Sequence, residues 1–202
     1  MNFQNLPSKI GFGNKSYSIL SKEKDVLIIS GSNADQKVSF EKIKKILKRS
    51  VFIHKLNKDR FDPKKVYNLV ESYKHKRISA IIAFGGGSVI DFSKLVIKEF
   101  RNAKKKHISF YVIPTLLGSG AESSMTAILN TKKEKIISID DSFLPDGIIY
   151  DFSLYKNLKR ERIILGHLDA LTHCLESLNS INKNPFSEFL AKSSLKNFIK
   201  QF

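Results

Sequence analysis

The sequence predicts an α/β fold: a parallel sheet with helices in the first three quarters of the chain, then an all-helical part. Three observations lead there. Short apolar runs alternate with stretches of helical spacing, as in successive βαβ units. Glycine turns close several of those runs. After Asp151 the strand-like runs stop, apart from the short Ile163-Ile164-Leu165, and helical spacing takes over.

Taken in order, Lys9 to Gly13 reads as a short strand closed by glycine, and Val26 to Gly31 as a buried strand ending in Ser-Gly-Ser. Phe40 to Lys48 is an amphipathic helix with Phe40, Ile43, Ile46 and Leu47 on one face. Val51 to Leu56 is the next strand. Asp62-Pro63 opens a helix whose face is Val66, Leu69, Val70 and Tyr73, with Pro63 in the first turn where its missing N–H costs nothing. Ile78 to Phe84 is a continuous apolar run, the mark of a strand covered on both faces. Gly85-Gly86-Gly87 follow at once. Ser88 is expected to cap the next helix, with Asp91 three residues on completing a capping box. Ile108 to Ile113 is another strand, leading through Pro114-Thr115 to Gly118-Ser119-Gly120. In the final part, Gly166 to Leu178 is expected to turn Leu168, Leu171, Leu175 and Leu178 inward, and Phe186 to Phe202 forms a last helix after Asn184-Pro185. The domain boundary falls at residues 155/156.

Chemistry concentrates in the glycine turns. Strand, bare-glycine turn and helix N-terminus together make an anion site, because the backbone can be approached closely and the unpaired N–H groups and helix dipole favour negative charge. Gly31, Gly85 to Gly87 and Gly118 to Gly120 all follow strand C-termini, the rim where such sheets bind ligands. Three glycine turns on one rim point to a dinucleotide cleft. Asp169 and His173, four apart on one helix face, form the carboxylate–imidazole pair that a divalent metal takes. A surface Asp–His contact is the plainer alternative. No Gly-x-Ser-x-Gly elbow occurs, and no catalytic acid, base or nucleophile is assigned.

Composition narrows the rest. The 202 residues are 42% hydrophobic, enough for a sizeable core, and no run reaches membrane-spanning length, so no membrane partner is expected. A single cysteine, Cys174, rules out an internal disulfide and points to a cytoplasmic chain. The formal net charge of +16 would suit a nucleic-acid binder, but the lysines are spread along predicted helices without interleaved aromatics. They read as a lysine-rich surface, and no nucleic-acid partner is expected.

The motif order Phe12-Gly13, Gly85-Gly86-Gly87-Ser88-x-x-Asp91-x-x-Lys94, Pro114-Thr115-x-x-Gly118-Ser119-Gly120-Ala121-Glu122, Pro145…Asp151 and Asp169-Ala170-Leu171-x-His173-x-x-Glu176 resembles the iron-containing (group III) alcohol dehydrogenases, a family that shares its architecture with dehydroquinate synthase. The resemblance runs from about Ile10 to the end. It implies a Rossmann-like dinucleotide-binding domain (1–155), a helical domain (156–202), and hydride transfer between NAD(P) and a small-molecule alcohol or aldehyde, with iron, sometimes zinc, as Lewis acid. It also implies that Gly31, Gly85, Gly86, Gly87 and Ser88 hold the cofactor with Thr115, Gly118, Ser119 and Lys135, and that Asp169 and His173 are metal ligands. Leu116 replaces a threonine of the family pattern. Two further metal-binding histidines of the family would lie beyond Phe202, so the helical domain and metal site are expected to be incomplete, a truncated form of the family. A non-catalytic nucleotide-binding remnant is the alternative. The apolar last helix leaves room for a homo-oligomer. Gly118 to Glu122 with His173 to Leu178 is similar to the branch acting on the sugar acid 3-deoxy-manno-octulosonate, and Lys135 to Pro145 with Ser180-Ile181-Asn182 to phosphonoacetaldehyde reductases. Gly31-Ser32-Asn33, in place of an acidic residue, favours NADP over NAD, with Asp35 nearby as the opposing charge.

Overall fold

The computed structural model describes residues 6–31, 37–47, 50–56, 63–131, 134–156 and 158–200. Two compact units emerge: Met1–Thr115 with Ala121–Asn157, and Leu116–Gly120 with Leu158–Phe202. The five residues of the Gly118 turn thus group with the helices, although they lie within the α/β stretch of sequence.

The first unit is built on six parallel strands: β1 (Ile10–Phe12), β2 (Val26–Ser30), β3 (Val51–Lys55), β4 (Ala80–Gly85), β5 (Ser109–Pro114) and β8 (Gly147–Tyr150), in the order β1-β8-β5-β4-β2-β3. Strands β2 and β4 are neighbouring interior strands and are buried throughout, which is why their sequences are apolar on both faces rather than alternating. Period-two geometry sends Leu27, Ile29, Ile81, Ala83, Phe110 and Val112 to one face. That face is covered by α2 (Pro63–Tyr73) and α3 (Gly87–Lys104). Val26, Ile28, Ala80, Ile82, Phe84 and Ile113 point the other way, beneath Phe40, Ile43 and Leu47 of α1 (Lys37–Leu47) and Tyr17 and Leu20 of the 3-10 segment Asn14–Leu20. The connection from β2 moves outward to β3, and that from β4 moves the opposite way to β5. The chain therefore reverses its winding between β2 and β4, and the carboxyl ends of those two strands frame a crevice of the kind where α/β sheets bind ligands.

Two strands not expected from the sequence, β6 (Thr126–Asn130) and β7 (Lys135–Ile139), form a separate antiparallel pair whose β6 lies against α3. Lys48, Asp62 and Phe202, assigned to elements from the sequence, lie outside the described residues.

The second unit contains α4 (Arg160–Asn179), α5 (Pro185–Ile199) and the 116–120 turn. Ile163-Ile164-Leu165 lies within α4 and is not a strand. The expected inward row holds only in part: Leu171 and Leu178 are half-buried, whereas Leu168 and Leu175 are exposed. The helix carries more than one apolar stripe, so spacing alone does not select the packed one. Asn184 caps α5, accepting from the Ser187 amide while the Ser187 hydroxyl receives the Asn184 N–H, and Pro185 sits at the first helical position. No helix among the described residues is long and apolar enough to cross a membrane.

Candidate functional site

Strand β4 ends at Gly85, and α3 begins two residues later. Its N-cap is Gly86, in extended conformation (φ −84°, ψ −176°), and no side chain caps it. The expected Ser88 cap is corrected: Ser88 lies inside the first turn, because the chain is already helical from Gly87. The capping box with Asp91 therefore does not form. A helix end carries amides without intrahelical partners, and here no side-chain oxygen spends them at the cap. That leaves an 18-residue helix, with its dipole, aimed at the rim by bare backbone.

The glycines divide the work. A Cβ on Gly85 would lie 2.6 Å from Val89 Cβ, so its bare Cα is used to seat α3 against the sheet. A Cβ on Gly31 would meet nothing nearer than Val89 Cγ2 at 3.6 Å, an ordinary contact. The Thr115 amide donates to the Gly85 carbonyl at 3.0 Å, which ties the end of β5 to the turn. Lys135 is exposed at the start of β7. Ser32, Asn33 and Asp35, on which the NADP expectation rests, lie outside the described residues.

Behind the turn, α3 carries an ion cluster that the sequence did not reveal. Lys94 is fully buried, with Nζ donating to the Thr126 carbonyl at 2.6 Å and lying 3.6 Å from Asp91 Oδ1. Burial pushes the Lys94 ammonium down and the Asp91 carboxyl up; each is the other's main compensation, and Asp91 also accepts a backbone hydrogen bond from Ile128. Buried Glu122 adds its charge near Lys94 and accepts from the Tyr150 hydroxyl at 3.0 Å. The Asp91-x-x-Lys94 spacing was the available signal, one turn on one helix face, but burial of a lysine is not written in a spacing.

In the second unit, the Gly118 turn crosses α4 backbone to backbone. A Cβ on Gly166 would lie 2.3 Å from the Leu117 carbonyl oxygen, and one on Gly118 would lie 2.5 Å from the Gly166 oxygen. Gly118 also has φ +138°, which L side chains rarely adopt. Three residues beyond Gly166, Asp169 Oδ1 is 3.5 Å from His173 Nε2, as the i,i+4 spacing requires. Glu176 Oε2 takes the other ring nitrogen, Nδ1, at 3.3 Å, so it lies on the opposite side of the imidazole and does not add to the Asp169 side. Both members of the pair are about half exposed. Among the described residues no group of three or more His, Cys, Asp or Glu side chains is arranged to hold a metal ion. The pair supplies two ligands, whereas a catalytic site takes about three protein ligands and keeps one position open. It fits part of a divalent site and not a whole one. His167 does not join: its Nδ1 is 2.8 Å from the Ile163 carbonyl and its ring lies against Phe198.

Comparison with known proteins gives a consistent result. Residues 7–152 match the family model described as iron-containing alcohol dehydrogenase. The chain is 29% identical over 136 residues to a probable alcohol dehydrogenase, EutG, of Escherichia coli K12, covering 60% of this chain and 34% of that protein. It is 30% identical over 120 residues to long-chain-alcohol dehydrogenase 1 of Geobacillus thermodenitrificans, covering 59% and 30%. Its matched part thus spans about a third of the length of these relatives. An iron-containing alcohol dehydrogenase of Thermotoga maritima superposes with a TM-score of 0.84 at 24% identity, covering 100% of this chain and 63% of that one. An NADH-dependent butanol dehydrogenase A from the same organism gives 0.80 at 23%, covering 99% and 56%.

Proposed function

The chain belongs to the iron-containing alcohol dehydrogenase family, and on that premise we propose that its α/β unit binds a nicotinamide dinucleotide in the crevice between the ends of β2 and β4. The observation that carries the reading is the Gly86-capped N-terminus of α3 at the point where the sheet reverses its winding. Gly86, Gly87 and Ser88 present their backbone to the pyrophosphate, Gly85 lets the helix approach close enough to do so, and Gly31 leaves side-chain room on the β2 side. By family resemblance Thr115, whose amide donates to the Gly85 carbonyl, lines the nicotinamide side, as do Gly118 and Ser119, and Lys135 reaches the cofactor. The bound dinucleotide supplies hydride exchange with an alcohol or aldehyde carbon. The preference for NADP over NAD rests on Gly31-Ser32-Asn33 standing in place of an acidic residue after β2, with Asp35 as the opposing charge.

Asp169 and His173 are the residues toward iron or zinc, and with two ligands they hold it weakly. The 202-residue chain on its own is expected to bind dinucleotide while turning over no alcohol, which is also what a non-catalytic nucleotide-binding member of the family would do. Phosphonoacetaldehyde and sugar-acid alcohols are the candidate substrates drawn from the resemblance. Calorimetric titration with NADPH and NADH tests the binding, and nicotinamide absorbance with added ferrous iron or zinc tests turnover on short alcohols and aldehydes. Dinucleotide binding, tighter for NADPH, without metal-dependent turnover is expected. Turnover at about one per second or faster would refute the two-ligand argument, and absence of any binding would refute the site.

A further inference from the structure

The parallel sheet has a second rim, at the amino ends of the strands, and the cations of the α/β unit gather there. Lys24 lies two residues before β2; Lys76 and Arg77 precede β4; Lys104, Lys105 and Lys106 precede β5. These strands are neighbours, so three loops far apart in sequence become adjacent. Hydrogen bonds join them directly. Lys104 Nζ donates to the Lys76 carbonyl at 3.2 Å, the Lys24 amide donates to Ser79 Oγ at 3.0 Å, and the Ser109 amide donates to the Ser79 carbonyl at 3.0 Å. Lys24, Lys76, Arg77, Lys105 and Lys106 are exposed. Of the nearby carboxylates, half-buried Asp25 stands beside Lys24, and two others are engaged. Glu23 is buried and accepts from the Tyr111 hydroxyl at 2.8 Å and from Ser79 Oγ at 3.0 Å, and Asp146 pairs with Arg101 at 3.2 Å. At the opposite rim the turns that bound the dinucleotide crevice, Gly31, Gly86 to Ser88 and Thr115, are uncharged, and the cations there, Lys55, Lys58 and Arg60, fall in sequence at the end of β3.

We infer that this amino-end rim is a docking surface for the phosphate backbone of a duplex nucleic acid, separate from the dinucleotide crevice at the other end of the sheet. Charge selects a polyanion. The absence of exposed large apolar side chains from the three loops removes the wedge that a membrane surface would take up, and the loops hold no exposed Phe, Tyr or Trp as a stacking platform for single strands, His75 and His107 being their exposed rings. Duplex backbone is the partner left, read without sequence preference. Neighbouring strands lie about 4.8 Å apart, so the three loops span roughly 10 Å, a length over which a duplex presents about six phosphates. The even spread of lysines in the sequence argued for a solvated surface; adjacency in the sheet is what gathers these few into one patch.

The test is fluorescence anisotropy of a labelled mixed-sequence duplex of about 20 base pairs, as DNA and as RNA, with the whole 202-residue chain at 50 and 200 mM salt. With about four phosphates neutralised, affinity should fall about 100-fold between the two salts. The variant K24Q/R77Q/K105Q/K106Q should lose at least tenfold in affinity and lower the logarithmic salt slope by about 3 to 4. A control variant with the same charge, K15Q/K64Q/K65Q/K156Q, should change affinity less than threefold, and K24R/K105R/K106R should bind like the parent. Circular dichroism melts verify that each variant is folded. Retention of either duplex under this pattern supports the inference, with the tighter arm naming the nucleic acid. Equal losses in the rim and control variants, no duplex binding at 50 mM salt, or rim-dependent binding to phosphatidylserine vesicles in place of duplex would overturn it.

Discussion

Replacing Lys94 with Met should be among the most damaging single changes in the α/β unit. The side chain is fully buried, and its ammonium is held by the Thr126 carbonyl at 2.6 Å and by Asp91 at 3.6 Å, with Glu122 adding to the field. Methionine matches the length and apolar stem, so no cavity opens. The cost is electrostatic: Asp91, only 14% exposed, and buried Glu122 are left without their cation. Removing one partner of a buried pair costs about 3–5 kcal/mol, because the surviving charge stays desolvated. For a chain of this size that is a fall of roughly 6–20 °C in melting temperature. The pair is not simply a stabiliser, since burial is the largest influence on both groups and opposes the charged form of each. A second neutralisation, Asp91→Asn, should therefore recover part of the loss, because the amide oxygen still accepts from Ile128 while the unpaired charge is gone. Urea unfolding of the parent, both single variants and the double variant measures this as a cycle. A Lys94→Met loss below about 1 kcal/mol, or strict additivity in the double variant, would refute the reasoning.

Other expectations follow from single contacts. Gly166→Ala puts a methyl 2.3 Å from the Leu117 carbonyl oxygen, a backbone atom that cannot step aside, so the 116–120 turn should part from α4 and its amides should exchange with solvent at least tenfold faster. Lys105 ends α3 in a left-handed conformation (φ 49°) at a position that favours glycine; Lys105→Gly should raise stability by about 0.5–1 kcal/mol in a thermal melt. Asp140 is held down to about 2, chiefly by the Lys98 hydrogen bond at 2.7 Å and also by those from Ser142. A depressed folded-state carboxyl stabilises above its unfolded value of 3.8, and that contribution fades as pH falls toward 2. Asp140→Asn should accordingly destabilise at pH 7 and flatten the loss of stability between pH 5 and 2, as followed by melts across that range.

Much of the fold was legible because its signals are local and redundant. Ile78 to Phe84 has the continuous apolar character that only a strand covered on both faces needs, and the glycines after it mark the turn. The helix start was harder. Any of Gly85 to Ser88 satisfies a cap pattern, and packing of Val89 against Gly85 decides that the helix begins at Gly87. Strands β6 and β7 were missed because each is short and they pair with each other, β6 lying against α3, an arrangement without its own periodic signature. The Asp169–His173 pair was readable from spacing alone, whereas the opposed position of Glu176 on the ring required coordinates. Lys94 and the Gly118–Gly166 crossing were invisible for the same reason: each depends on what residues distant in sequence bring to it.

The central claim is that an uncapped glycine backbone at the start of α3 holds a nicotinamide dinucleotide, and its most direct test is calorimetric titration of NADPH and NADH into the parent chain and Gly86→Val. A valine side chain at the N-cap would stand between the ligand and the first amides. The account predicts saturable one-to-one binding by the parent and at least a tenfold loss in Gly86→Val, with an unchanged circular dichroism spectrum. Equal affinity in the two proteins would contradict it.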